Sequence, residues 1–183
     1  MIKPVKKLML VALLSALGSA GAMAAEQSHF EHFITRDGAT LKDGDKVFRF
    51  AGIHAPELHR IEDDARGTCK ADSRGWGQYF RWPTAEEQEN WIKALVQTGA
   101  RAERVYVLSV QQTFDEACGR ETHIQAPETA DGMPRLNEKA MRVYDNMIAE
   151  ADKQGLRLIL PFIDHWWWWG GREQLAAFYH EKP

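Results

Sequence analysis

The stretch that most constrains the fold is LRLILPFI, Leu156 to Ile163, opened by Gly155 and followed at once by Asp164-His165-Trp166-Trp167-Trp168-Trp169-Gly170-Gly171. A short run rich in Leu and Ile, held between a glycine and polar residues, reads as a strand buried on both faces of a parallel sheet. The tryptophans then lie just past the carboxyl end of a strand, the edge at which α/β folds gather their ligands. Four large amphipathic rings beside an Asp and a His are poor core filler and good stacking platforms for a sugar. Packing of one or two rings against the next helix is the alternative for each ring singly.

The rest of the chain has the same grammar. FITRDGATLKDGDKVFRFAGI is hairpin-like, with Asp37-Gly38 and Asp43-Gly44 as turn dipeptides, and its last part, Val47 to Ile53, is expected as the first strand of the main sheet. A polar loop runs from His54 to about Pro83. Thr84 and Glu87 form a capping box for a helix that places Trp91, Ile92, Leu95 and Val96 on one face and stops at Gly99. RVYVLSV, Arg104 to Val110, is the second strand, and a second long loop reaches about Leu136. A helix from about Asn137 to Gln154 buries Ala140, Tyr144, Met147, Ile148 and Ala151, and the third strand and the tryptophans follow. A short helix begins near Arg172. Helices follow strands throughout, so right-handed crossovers give parallel strands.

The loops after the strands are about 30 and 25 residues, against only a few from helix back to strand. Long loops at the carboxyl edge suit a (β/α)8 TIM barrel, an α/β fold that takes about 250 residues, of which three strands of eight can be counted here. A complete small three-layer α/β domain is the rival, and it needs another strand.

The first residues read as a secretory signal, 1–24, leaving 25–183 as the mature part. Lys3, Lys6 and Lys7 precede the apolar LMLVALLSALGSA, and Ala22-Met23-Ala24 is a small-x-small cleavage site. The apolar core is shorter than the roughly 20 residues of a membrane span, so a periplasmic or secreted protein without a membrane anchor is expected. Losing three lysines and no acids takes the formal charge from −3 to −6, with no dense basic patch, which speaks against nucleic acid as a partner. In an oxidising compartment Cys69 and Cys118, each in a long segment after a strand, are candidates for a disulfide or remain as two thiols.

Glycosidic hydrolysis normally uses two carboxylates, about 5 to 5.5 Å apart for retention or about 6.5 to 9.5 Å for inversion. The carboxylates at strand ends are Glu57, in HAPELHR, and Asp164. Glu57 is equally readable as a loop partner of Arg60, and Asp164 as a group that orients His165 or a sugar hydroxyl. Arg104 opens the second strand, where a buried charge calls for a partner such as a carboxylate. His54 and His165 end strands at related positions and can hydrogen-bond sugar hydroxyls. The spacing of His54, His59, Glu121 and His123 matches no metal site, and neither a phosphate loop nor a serine-esterase elbow is present.

FRFAGIHAPEL, WPTAEEQENWIKAL, RVYVLSV and LNEKAMRVYDNMIAEADKQGLRLILPFIDHWWWWGG together resemble the amino-terminal part of glycoside hydrolase family 5-like proteins, nearest to the endo-β-mannanase-like branch, from about Phe33 onward. The resemblance implies a (β/α)8 barrel, retaining chemistry without a metal or other cofactor, and a β-linked polysaccharide of mannan or glucan type as substrate. It matches Arg104 to the second-strand arginine that braces the nucleophile, and Trp166 to the tryptophan that lines the sugar subsites after the third strand. His54 and His165 stand where related sequences commonly carry asparagine, and Glu57 and Trp167 complete the expected substrate-binding set. The family's acid/base glutamate ends the fourth strand and its nucleophile the seventh, so both are expected beyond Pro183. The chain thus reads as roughly the first three βα units of a barrel, inactive alone and partnered by a missing carboxyl-terminal half. The alternative is a non-catalytic carbohydrate-binding protein that uses Trp166 to Trp169, and a third is a structural domain whose tryptophans pack in an interface.

Overall fold

The computed structural model describes residues 28–63, 69 and 79–180. The predicted secretory segment and its cleavage site lie outside the described residues. The amino-terminal segment forms a three-stranded antiparallel meander of β1 (Ile34–Asp37), β2 (Thr40–Asp43) and β3 (Lys46–Val47). Gly38 and Gly44 both have positive φ, so the two Asp-Gly dipeptides make the turns. Val47 is used up in this meander, which corrects the expected first strand of the main sheet. The chain enters that sheet at Ala51, whose carbonyl accepts from Arg101, and leaves it at Ala55, which donates to the Arg104 carbonyl.

The parallel sheet is centred on β6 (Ala102–Arg104) and β9 (Arg157–Ile159), with Ala102 opposite Arg157 and Arg104 opposite Ile159. His54 bridges Arg104 on the other side. Three consecutive segments therefore lie side by side and parallel. Beyond β6 the chain stays extended, with Leu108 donating to Phe162 and Val110 to Trp169.

Two helices cover one face. Helix α1 (Ala85–Gln97) begins at Thr84 with the full reciprocal capping box to Glu87, and α2 (Glu138–Lys153) begins at Asn137, whose side chain accepts from Lys139 and Ala140. Their buried stripes, Ile92 and Leu95 on α1 and Tyr144, Met147 and Ala151 on α2, pack with Val105 and Leu156 into one core. Each such aliphatic side chain contributes about 1.5 to 3 kcal/mol by leaving water. Gln88, buried on α1, donates to the carbonyls of Leu58 and Val143 and accepts from Asn146, fastening both helices to the first loop. Trp91 and Ile148, expected in the stripes, are exposed at the rims of their helices.

The opposite face of the sheet is open. Ile53, Ile159 and Phe162 are 64%, 45% and 63% exposed, so LRLILPFI is not buried on both faces as its composition suggests. Leu158 and Leu160 turn to the helices. No element covers Ile53, Ile159 and Phe162 among the described residues, and two of the six large apolar side chains of the run stand in solvent. At the base of the sheet an apolar groove of about 730 Å3 runs between the meander, β9 and α2, lined by Phe33, Leu41, Phe50, Ile148 and Ile159 among others.

The two long loops carry structure of their own. The first holds the hairpin β4 (Ile61–Asp63) with β5 (Tyr79–Arg81), the second pairs β7 (Ile124–Gln125) with β8 (Arg135–Leu136). A disulfide joins Cys69 to Cys118, with Cα atoms 5.5 Å apart, and so ties one loop to the other. After a single 3-10 turn, Trp167–Trp169, the short helix α3 (Gly171–Phe178) closes the described chain.

Candidate functional site

Alternation along the second strand decides which side chains reach the open face. Val105 and Val107 are buried, whereas Arg104 and Tyr106 point the other way. His54 lies beside Arg104 in register, its Nδ1 donating to the Arg104 carbonyl at 2.8 Å, and the Arg104 guanidinium comes within 3.2 Å of His54 Nε2. The His54 and Tyr106 rings are 5.7 Å apart. Among the described residues Arg104 pairs with no carboxylate; the imidazole takes that place.

Tyr106 carries the row across to the third strand. Its hydroxyl donates to Asp164 Oδ2 at 3.3 Å. Asp164 Oδ1 accepts from the main-chain N–H groups of His165 and Trp166, and His165 Nδ1 lies 3.4 Å from the same oxygen. The carboxylate therefore shapes the turn that presents His165 and Trp166, whose rings are 4.4 Å apart. Trp166 and Trp167 are 46% and 49% exposed. Half-exposed indoles beside hydrogen-bonding groups are what a sugar ring needs, an apolar plate for its C–H face and partners for its hydroxyls.

The glycines that follow are required by close approach. Gly170 has a φ of 83°, and a β-carbon there would run into the Val110 carbonyl; one on Gly171 would press on the carbonyls of Asp164 and Trp166. Trp169 goes inward, its Nε1 donating to the Val107 carbonyl at 3.1 Å and its ring edge-on to Tyr106 at 4.8 Å. One ring of the tryptophan run is thus a structural support for Tyr106, and the side chain of Trp168 lies outside the described ones.

Glu57 is not brought to this row. It lines a separate groove of about 210 Å3 with Arg81, Glu87 and Trp91, next to α1. Nor does it meet Arg60, which is buried among the rings of Phe80, Trp82 and Trp169, at 4.3, 5.6 and 5.0 Å from their centres, and donates to Ser109 Oγ and the Glu121 carbonyl.

Beneath the site lies a polar cluster that gathers His59, Glu121 and His123, residues whose spacing matched no metal site. His59 and His123 are fully buried, 3.0 Å apart between Nδ1 and Nε2, and edge-on to one another, with Tyr144 against His59. Burial, which penalises the charged ring, lowers His59 to about 4, against the hydrogen bond to Tyr106, and lowers His123 to about 2 with help from the neighbouring His59 and Arg60. Tyr144 is pushed up to about 12, also by burial. Glu121 is pushed up by burial but held below the usual range on balance, by hydrogen bonds from Lys139 and from Trp82 Nε1. Glu103 is buried under the first strand with Oε2 accepting from Ile53 N, and burial raises it. Tyr106 was not singled out, although strand alternation places the residue two past Arg104 in RVYVLSV on the same face; the two histidines carried no signal, because nothing in a loop's spacing tells which atoms it will enclose.

Fold and site together define an α/β protein with a stacking and hydrogen-bonding surface at the carboxyl edge of parallel strands. Among solved structures the chain is similar to the endo-1,4-β-mannanase of Rhizomucor miehei, at 14% identity and a TM-score of 0.58, over 82% of this chain and 35% of that one. The chain therefore spans about a third of that enzyme's length and has a glycoside hydrolase-like α/β fold. No protein family and no curated protein matches the sequence.

Proposed function

We propose that this chain is the sugar-binding, amino-terminal part of an exported glycoside hydrolase that acts on a β-linked polysaccharide of mannan or glucan type, with further strands of a (β/α)8 barrel closing over the open face. The observation that carries the reading is the continuous row of Arg104, His54, Tyr106, Asp164, His165 and Trp166 along the carboxyl edge of the sheet, flanked by Trp167. The mannanase likeness supports the fold, and the bare face bearing Ile53, Ile159 and Phe162 supports the further strands.

In this reading Trp166 and Trp167 stack on sugar rings while His54, His165 and Arg104 hydrogen-bond hydroxyls. Hydrolysis needs two carboxylates facing one bond. The row contains one, Asp164, and its oxygens already accept from Tyr106 and from two main-chain N–H groups. That favours binding without cleavage for this chain's own residues, which is also the second reading, a non-catalytic carbohydrate-binding protein. The acid/base and nucleophile would come from the further strands.

The test is titration of the chain from Ala25 with mannopentaose and cellopentaose, followed by tryptophan fluorescence. Saturable quenching that Trp166→Ala weakens about tenfold, the scale of losing one stacked ring, is expected, with no release of reducing ends. Absence of any saturable response in the folded chain would remove both carbohydrate readings and leave an interface role for the tryptophans. Release of reducing ends would remove the division between binding and cleaving parts.

A further inference from the structure

The buried histidine pair plays no part in stacking or hydroxyl binding, yet its protons can be assigned one by one. His59 Nε2 is 2.9 Å from the Tyr106 carbonyl, an atom that only accepts, so this nitrogen carries a proton. His123 Nδ1 is 3.1 Å from the Ser109 main-chain nitrogen, which only donates, so this one carries none. A neutral His123 then has its proton on Nε2, which it donates to His59 Nδ1. Ser109 Oγ cannot relieve the arrangement: it already accepts from Arg60 and from His123 N, and its own proton points to His123 Nδ1 at 2.9 Å. An added proton on either Nδ1 would face another donor.

The far end of this network is the site. The carbonyl held by His59 belongs to Tyr106, the residue whose hydroxyl donates to Asp164. We propose that His59 and His123 are positioning residues of the sugar site: a pair with room for two protons and no third fixes the Tyr106 main chain, and a third proton, which leaves His59 Nε2–H on the Tyr106 carbonyl but sets two donors against each other at an Nδ1, displaces the rings and with them the Tyr106 main chain, so that its hydroxyl leaves Asp164. The role in sugar binding rests on the carbohydrate reading above; the proton assignment and the link to Tyr106 do not. The titratable and charged groups that face the pair are Arg60 from the same loop, His54 from the end of the first strand and Tyr144 from α2, with Glu121 and Lys139 reached through Trp82. Both histidines resist protonation because they are buried, which sets the acid limb well below the ordinary histidine range.

The experiment is NMR of the folded chain with labelled histidine and tyrosine between pH 7 and pH 4. Both rings should be neutral Nε2–H tautomers at pH 7, and the Tyr106 ring signals should move together with those of His59, with a midpoint near 4. In His59→Gln the side-chain amide can still donate to the Tyr106 carbonyl and accept from His123, so the Tyr106 transition should shift to lower pH although Asp164 and His165 are untouched. An Nδ1–H tautomer at His123, a midpoint in the ordinary histidine range, or the same Tyr106 profile in His59→Gln and the parent overturns the proposal. Mannopentaose affinity is read separately: it should fall about tenfold as the Tyr106 signals move, the scale of one lost hydrogen bond. If no oligosaccharide binds at pH 7 while the tautomers and the Tyr106 coupling are as stated, the carbohydrate reading fails and the positioning of Tyr106 stands.

Discussion

The two faces of the parallel sheet obey different rules. On the helix side, Val105 and Leu156 meet Ile92, Leu95, Tyr144 and Met147, all of them buried. On the other side, the same strands present Ile53, Arg104, Ile159 and Phe162 to solvent. One face is a finished core and the other a surface built of core-like residues. Stability should therefore be concentrated in the first, while the second is free to bind something, because little of the fold depends on it.

Substitution of Met147 by Ala should show the largest effect, a loss of about 3 kcal/mol read by urea denaturation, since a fully buried side chain leaves a cavity between α2 and the sheet. A loss below about 1 kcal/mol would mean that the helix side is loosely packed and would break the contrast.

Acid should come close behind. The folded-state values of His59 and His123 lie below the unfolded one, so the unfolded chain binds more protons once pH drops below about 6.5, and stability present in full above that pH is lost on the way down to 4. For His59 alone the shift to about 4 corresponds to about 3 kcal/mol. Glu103, raised by burial, acts in the opposite sense. Urea melts at pH 7 and 4.5, compared with His59→Gln, measure it; equal slopes in both proteins would place the acid sensitivity elsewhere.

Thr84→Ala removes the oxygen that caps α1 and should cost about 1 kcal/mol. The same measurement reports whether α1 is held by its own terminus or wholly by the core.

Phe162→Ser, on the open face, should change stability by less than about 0.5 kcal/mol. If it destabilises as Met147→Ala does, the face is covered in solution, and the comparison is sharpened into a search for what covers it.

Much of the fold was readable before any coordinates. The capping box at Thr84 and Glu87, the helix beginning at about Asn137, the Asp-Gly turns and the parallel order of three extended segments all follow from local chemistry. The first strand was misplaced toward Val47 because a run such as VFRFAGI has strand-like residues throughout and gives no signal for where the meander ends and the sheet begins. The burial of LRLILPFI was overestimated because composition reports what a strand could bury, while exposure depends on which elements are present to cover it. In the site, His54, Asp164, His165, Trp166 and Trp167 lie where their positions at strand ends suggest; Arg104, expected to open the second strand, instead ends β6 and so joins His54, and Glu57 does not join them, because the 3-10 turn at Pro56–Leu58 carries it toward α1.

By itself, the sequence determined the two main helices, the Asp-Gly turns and the edge at which the row of polar and aromatic residues gathers, since caps, turns and strand ends act through neighbours a few residues away. Only the tertiary structure decided that Trp169 turns inward while Trp166 and Trp167 face solvent, that Arg60 is caged by three rings, and that His59 and His123 are hydrogen-bonded to one another beneath Tyr106. Those outcomes join residues 14 to 109 positions apart, His123 to Ser109 and Arg60 to Trp169 among them, and contacts across such distances are set by how the loops pack, which no local pattern encodes.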